Sequence, residues 1–177
     1  MDPIAPNSEQ DVIRFTPAAS SVDFVHLLRQ SYWTEQQLEE ILPLMIPKAT
    51  SYELITALTQ HTATAKRQLI RLIHVFDSMQ ERVAASKSKY IAKCLDEIHS
   101  LDGKYALGYP MDNAIILLCQ KMLSHEIESL SSLRIEAVMH NEEVLASYLS
   151  AAIEEEKTAH AILTEIALQS IYFDQAV

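Results

Sequence analysis

Between positions 145 and 167 the apolar residues Leu145, Leu149, Ile153, Leu163, Ile166 and Ala167 recur at the spacing of one helical face. Glu156 and His160 fall inside that stripe, one turn apart. An ionised carboxylate turned into a helical core is costly unless it is paired or binds a cation. A histidine four residues on projects from the same face and can reach the same point. Three other segments interrupt their own apolar stripes in the same way, each with a Glu or a His. Four amphipathic helices with polar groups turned inward point to a four-helix bundle with a polar centre.

The rest of the chain agrees with an all-α fold. Its only glycines, Gly103 and Gly108, sit close together, and no short runs of alternating β-branched and aromatic residues occur. At 177 residues it can bury one substantial core. A net charge of −10 argues against nucleic acid and against anionic membranes as partners. The longest apolar run, residues 114–119, is too short to span a bilayer. Residues 1–20 carry Pro3, Pro6 and Pro17 and no secretion-signal pattern, so a poorly ordered tail is expected there, with the bundle over 21–177. Cys94 and Cys119 form no metal or redox spacing and read as buried, reduced thiols of a cytoplasmic protein.

The first helix is expected from about Ser21, with Leu27, Leu28, Ser31, Glu35, Leu38, Leu42 and Met45 on one face, bent at Pro43 and ended by Pro47. Thr50 and Glu53 fit a capping box opening the second helix. That helix carries Leu54, Leu58, His61, Ala65, Leu69 and Leu72 and fades around residues 85–87. A short helix over about 89–99 and the loop with both glycines follow. The third long helix opens at Tyr109 with Asp112 as the expected N-cap, and carries Ile115, Leu118, Met122, Glu126, Leu130 and Leu133. Asn141 is the expected cap of the fourth. The result is two antiparallel hairpins joined by a crossover that holds a short helix.

Register makes the polar positions converge. Glu35 and His61 lie at nearly equal distance from a turn at Ala49, and Glu126 and Glu156 at equal distance from Asn141. Glu35, His61, Glu126 and Glu156 can therefore share one layer, and His160, one turn from Glu156, is a further candidate ligand. Di-iron bundles of the ferritin-like class take a Glu from each of two helices and a Glu with a His at i+3 from each of the others. Here Glu156 and His160 are spaced i+4, and Leu58 and Thr64, three residues either side of His61, supply no carboxylate. The set falls short of a complete two-metal site by at least one carboxylate.

Several segments resemble a known family: residues 32–38 (Tyr32, Trp33, Thr34, Glu35, Gln36, Gln37, Leu38) with Leu42-Pro43, His61 followed by Gln68-Leu69-Ile70-Arg71-Leu72 and Val75-Phe76, Gln120-Lys121, His125-Glu126-Ile127, and Glu155-Glu156-Lys157. They are similar to the DUF892 family, which contains bacterial, stress-associated YciF-like proteins, over roughly residues 21–171. The resemblance implies a ferritin-like bundle, a homodimer and a di-metal centre of unsettled function. Carried over, Glu35, His61, Glu126 and Glu156 stand at ligand positions. His160 stands where the family often has Asp, Thr64 where it usually has Glu, and Leu123-Ser124 replaces a more polar pair. One ion, two, or none are then compatible with the residues.

Two functions follow from different classes. One is a metal-binding protein holding iron or manganese through carboxylate and imidazole, where two ions would support oxygen or peroxide chemistry. The other is a non-enzymatic helical stress or interaction protein in which protonated carboxylates pair with His61 and His160. Tyr32 and Tyr148 lie near the layer, while His125 is one step off the stripe and expected at its edge. Arg71 is expected in a surface ion pair. Trp33, Ile116 and Leu168 are apolar positions that a dimer interface could use.

Overall fold

The structure, a computed structural model, describes residues 22–174. Its elements are α1 (Val22–Met45), a 3-10 turn (Ile46–Lys48), α2 (Tyr52–Ser78), α3 (Lys89–His99), α4 (Leu101–Lys104), α5 (Tyr109–Met139) and α6 (Glu143–Asp174). There is no strand among the described residues. The hairpins α1–α2 and α5–α6 pack together, α1 against α5 and α2 against α6, and α3 in the crossover covers α5. The fold is the expected ferritin-like four-helix bundle. The expected tail, residues 1–20, lies outside the described residues.

Two apolar clusters fill the bundle. One joins Leu38 and Leu42 of α1, Leu54 and Leu58 of α2, Ile115 and Met122 of α5, and Leu163 of α6. The other joins Leu28, Leu72, Phe76, Leu130, Leu133, Leu149 and Ile153. Each such side chain contributes about 1.5–3 kcal/mol when fully buried. Ser31, Thr34, Glu35, His61, Gln68, Glu126 and Glu156 are buried at the intervening levels of the long helices. The polar layer thus sits between two apolar halves of the bundle.

Four local expectations need correction. Ser51, not Thr50, caps α2: its hydroxyl accepts the Leu54 amide at 3.2 Å. Asp112 is not the cap of α5, which begins earlier, at Tyr109, behind Gly108 in the left-handed region at φ 98°. Asp112 instead lies in the first turn of α5 and accepts from the Thr50 amide (2.8 Å), the Thr50 hydroxyl (2.7 Å) and the Ser51 amide (2.9 Å). It caps the other hairpin.

α2 stops at Ser78 rather than fading near residue 85. Gln80 takes a left-handed φ of 58°, the Glu81 amide donates to Phe76 O (3.0 Å) and the Gln80 amide to Asp77 O (3.1 Å). That is a Schellman ending with Gln where glycine is usual. Asn141, also at φ 58°, ends α5 in the same way rather than opening α6. Its amide donates to Val138 O (3.1 Å) and the Glu142 amide to Ala137 O (2.9 Å).

Of the apolar positions offered for a dimer, Ile116 is 2% exposed and belongs to the core, and Trp33 packs against it. α3 provides the cover, burying a second face of α5. Leu168 is 51% exposed. No helix among the described residues is long and apolar enough to cross a membrane.

Candidate metal centre

Each polar side chain of the layer is positioned by the apolar residues of its own helix. Glu35 lies between Leu28 and Leu38, His61 between Leu58 and Ala65, Glu126 between Met122 and Leu130, and Glu156 between Ile153 and Leu163. Packing those neighbours into the core turns the polar groups inward with them. Glu35, His61, Glu126 and Glu156 are 3%, 4%, 4% and 0% exposed.

His61, Glu126 and Glu156 each bring one ligand atom to within 4.8 Å of the others. His61 Nε2 and Glu156 Oε2 are 3.5 Å apart. Glu35 joins the group through a hydrogen bond with Glu126, whose carboxyl it faces. Burial, then the charge of Glu156, holds Glu35 well above the usual carboxylate range. Burial, then Glu35 and Glu156, does the same to Glu126. Three carboxyl groups share one water-poor volume.

The layer leaves polar atoms unpaired. Both carboxylate oxygens of Glu156, Oε2 of Glu35, Oε2 of Glu126 and Nε2 of His61 are buried with no hydrogen-bond partner. A buried acceptor without a partner costs about 1–3 kcal/mol, and more when charged. The Arg71 guanidinium is committed elsewhere. Arg71 donates to both oxygens of Glu155 at 2.9 Å and lies over the Tyr148 ring at 5.8 Å. An acceptor-rich, buried set of one imidazole and several carboxylates fits a divalent first-row metal ion.

Comparison with known proteins places this architecture. Residues 21–175 match the family described as a domain of unknown function, DUF892. The chain belongs to the DUF892 family. It is 25% identical over 150 residues to protein YciF of Escherichia coli K12, covering 84% of this chain and 90% of that one. The structure of YcfI from Rhodopseudomonas palustris superposes with a TM-score of 0.77 at 27% identity, over 85% of this chain and 97% of that one. The crystal structure of the E. coli stress protein YciF superposes with a TM-score of 0.80 at 24% identity, over 86% and 98%.

The DUF892 fold brings four of the five sequence-derived ligand candidates together and leaves the fifth outside. His160 is half-buried on α6 and is not in the group of three. At the position where the family resemblance leads one to expect Glu, Thr64 donates to Gln60 O (3.2 Å) and accepts from Arg67 (2.9 Å). His125 stacks on Tyr90 with centroids 4.6 Å apart, and its Nε2 is 3.2 Å from Ser88 Oγ.

One supporting group, Gln68, escapes the sequence reading, whereas Tyr148 lies near the layer as expected. Gln68 is 2% exposed and donates to Glu155 at 3.0 Å. Its place two turns after His61 on the same face is the signal that finds it. Tyr148 has a buried hydroxyl without a partner, and burial pushes its pKa upward. Glu155, next to Glu156 on α6, is the acceptor that holds Arg71 and Gln68.

Proposed function

We propose that this chain is a DUF892 metal-binding protein of the cytoplasm that holds iron or manganese at His61, Glu126 and Glu156. Glu35 is the further carboxylate, released to the ion from its hydrogen bond with Glu126. His160 stands outside this set and would reach the ion only after moving inward. One ion is the reading we favour, because the carboxylates of a complete two-metal site are not all present. Such an ion would supply one-electron chemistry toward oxygen or peroxide. The stress association of the E. coli relative is extended to this chain on family membership.

The observation that carries the reading is the run of buried, unpartnered ligand atoms on His61, Glu35, Glu126 and Glu156. Homodimerisation belongs to the same proposal. Leu117 of α5 and Leu168 of α6, each 51% exposed, are the apolar surface nearest to hand for it.

A second reading rests on the Glu35–Glu126 hydrogen bond, which already satisfies part of the layer without an ion. In that reading the protein is a non-enzymatic stress or interaction protein. Thermal melting of chelator-treated protein with and without Mn²⁺ or Fe²⁺ separates the two. An ion at about 100 times its Kd stabilises the folded chain by about 2.7 kcal/mol, so Tm rises measurably under the first reading. An unchanged Tm supports the second.

A further inference from the structure

A pocket of about 110 Å³ opens between α2 and α6, and His61 is the one member of the ligand trio in its wall. Small residues make the space: Ala57 and Thr64 on α2, Thr158 and Ala159 on α6. A cavity of that size has room for several waters. On the opposite side of the layer, the cleft between α1 and α5 that reaches Glu35 and Glu126 measures about 10 Å³. That is room for about one water. A cation arrives partly hydrated, and of these two openings the α2–α6 pocket is the one with space for an ion with water still attached.

We propose that this pocket is the port through which a divalent cation reaches the centre, with Thr64 and Thr158 setting its width. The inference rests on the metal-binding reading above and adds the route. Neither threonine belongs to the ligand group, and each hydroxyl proton is already committed to its own helix. Thr64 Oγ1 donates to Gln60 O at 3.2 Å and Thr158 Oγ1 to Glu154 O at 2.8 Å, so both act by their bulk. Glu155 at the rim is fixed by Arg71 and Gln68.

The test is the rate of Co²⁺ uptake by the metal-free full-length chain, followed by stopped-flow absorbance, with equilibrium stoichiometry measured on the same samples. Thr158 is exposed and tolerates a larger side chain, so Thr158→Phe plugs the port without disturbing the core. Thr64→Phe is the second plug from the facing helix, and Ser129→Phe blocks the opposite cleft as a control. Both plugs should slow uptake by about tenfold or more at unchanged stoichiometry, while Ser129→Phe leaves the rate alone. Uptake at the parental rate in both plugged variants overturns the port and leaves the centre standing. So does slowing by Ser129→Phe alone. If the parent chain takes up no Co²⁺ at saturation, the centre itself is overturned and the port with it.

Discussion

His61 Nε2 and Glu156 Oε2 lie 3.5 Å apart in the bundle interior, and neither has a hydrogen-bond partner. An imidazole and a carboxylate that pair directly close to about 2.8 Å. Here a second carboxylate, that of Glu126, completes a group within 4.8 Å. The arrangement leaves ligand atoms aimed at a common volume rather than at each other, and stability is lost to it.

That loss is measurable. Glu156 is fully buried with both oxygens unpaired, between Ile153 and Leu163. Glu156→Leu should stabilise the metal-free protein by about 1–3 kcal/mol, because a well-packed apolar side chain replaces an uncompensated polar one. The same variant should lose metal-dependent stabilisation. Chemical denaturation of both proteins in chelator tests this, and a destabilised variant that still binds metal contradicts it.

The pH dependence has a definite sign. Glu35 and Glu126 are raised well above 4.5, first by burial and then by neighbouring carboxylates. The folded, metal-free chain therefore keeps protons that the unfolded chain releases. Their contribution to stability is complete below 4.5 and is lost as pH rises through the folded values. Scanning calorimetry of the metal-free protein should show Tm falling as pH goes from about 5 to about 8. Metal affinity should rise over the same window as protons leave the ligands. A Tm that climbs across it would refute the protonated pair.

Asp112 makes a separable prediction, because it holds the start of α2 and lies outside the ligand layer. Asp112→Ala leaves two backbone amides without acceptors. The cost should be about 2 kcal/mol, a fall of roughly 4–8 °C in Tm. Metal stoichiometry should not change. An unaltered Tm would show that water replaces the carboxylate without loss.

Cys119 is a thiol sealed in the core, its pKa pushed up to about 12 by burial. Cys94 is buried as well, and raised for the same first cause. In the native protein both should react with Ellman's reagent only as fast as the chain opens, and at once in denaturant. Rapid labelling of either thiol in native buffer would contradict the packing of α3 on α5.

The helices and the level of the ligand layer were legible because both rest on periodicity. Stripes such as Leu54, Leu58, His61 and Ala65 specify which face is buried, and near-equal distances from the two hairpin turns align Glu35 with His61 and Glu126 with Glu156. What was not legible depends on contacts distant in sequence or on unusual backbone. Gln80 and Asn141 end helices in a conformation where glycine is the usual marker. Asp112 serves a segment 62 positions earlier, at Thr50. Ile116 is buried by α3, so a single-stripe reading of α5 left it at the surface. His160 has the right residue type but follows Glu156 at i+4 rather than i+3, and it stands outside the group.

The most direct test is metal content by elemental analysis of full-length protein, purified without chelator or nickel and then equilibrated with Fe²⁺ or Mn²⁺. Glu126→Ala is run beside it. About one equivalent of iron or manganese per chain is expected for the parent, with near-complete loss in the variant. Less than about a tenth of an equivalent in the loaded parent would contradict this, as would equal retention by Glu126→Ala.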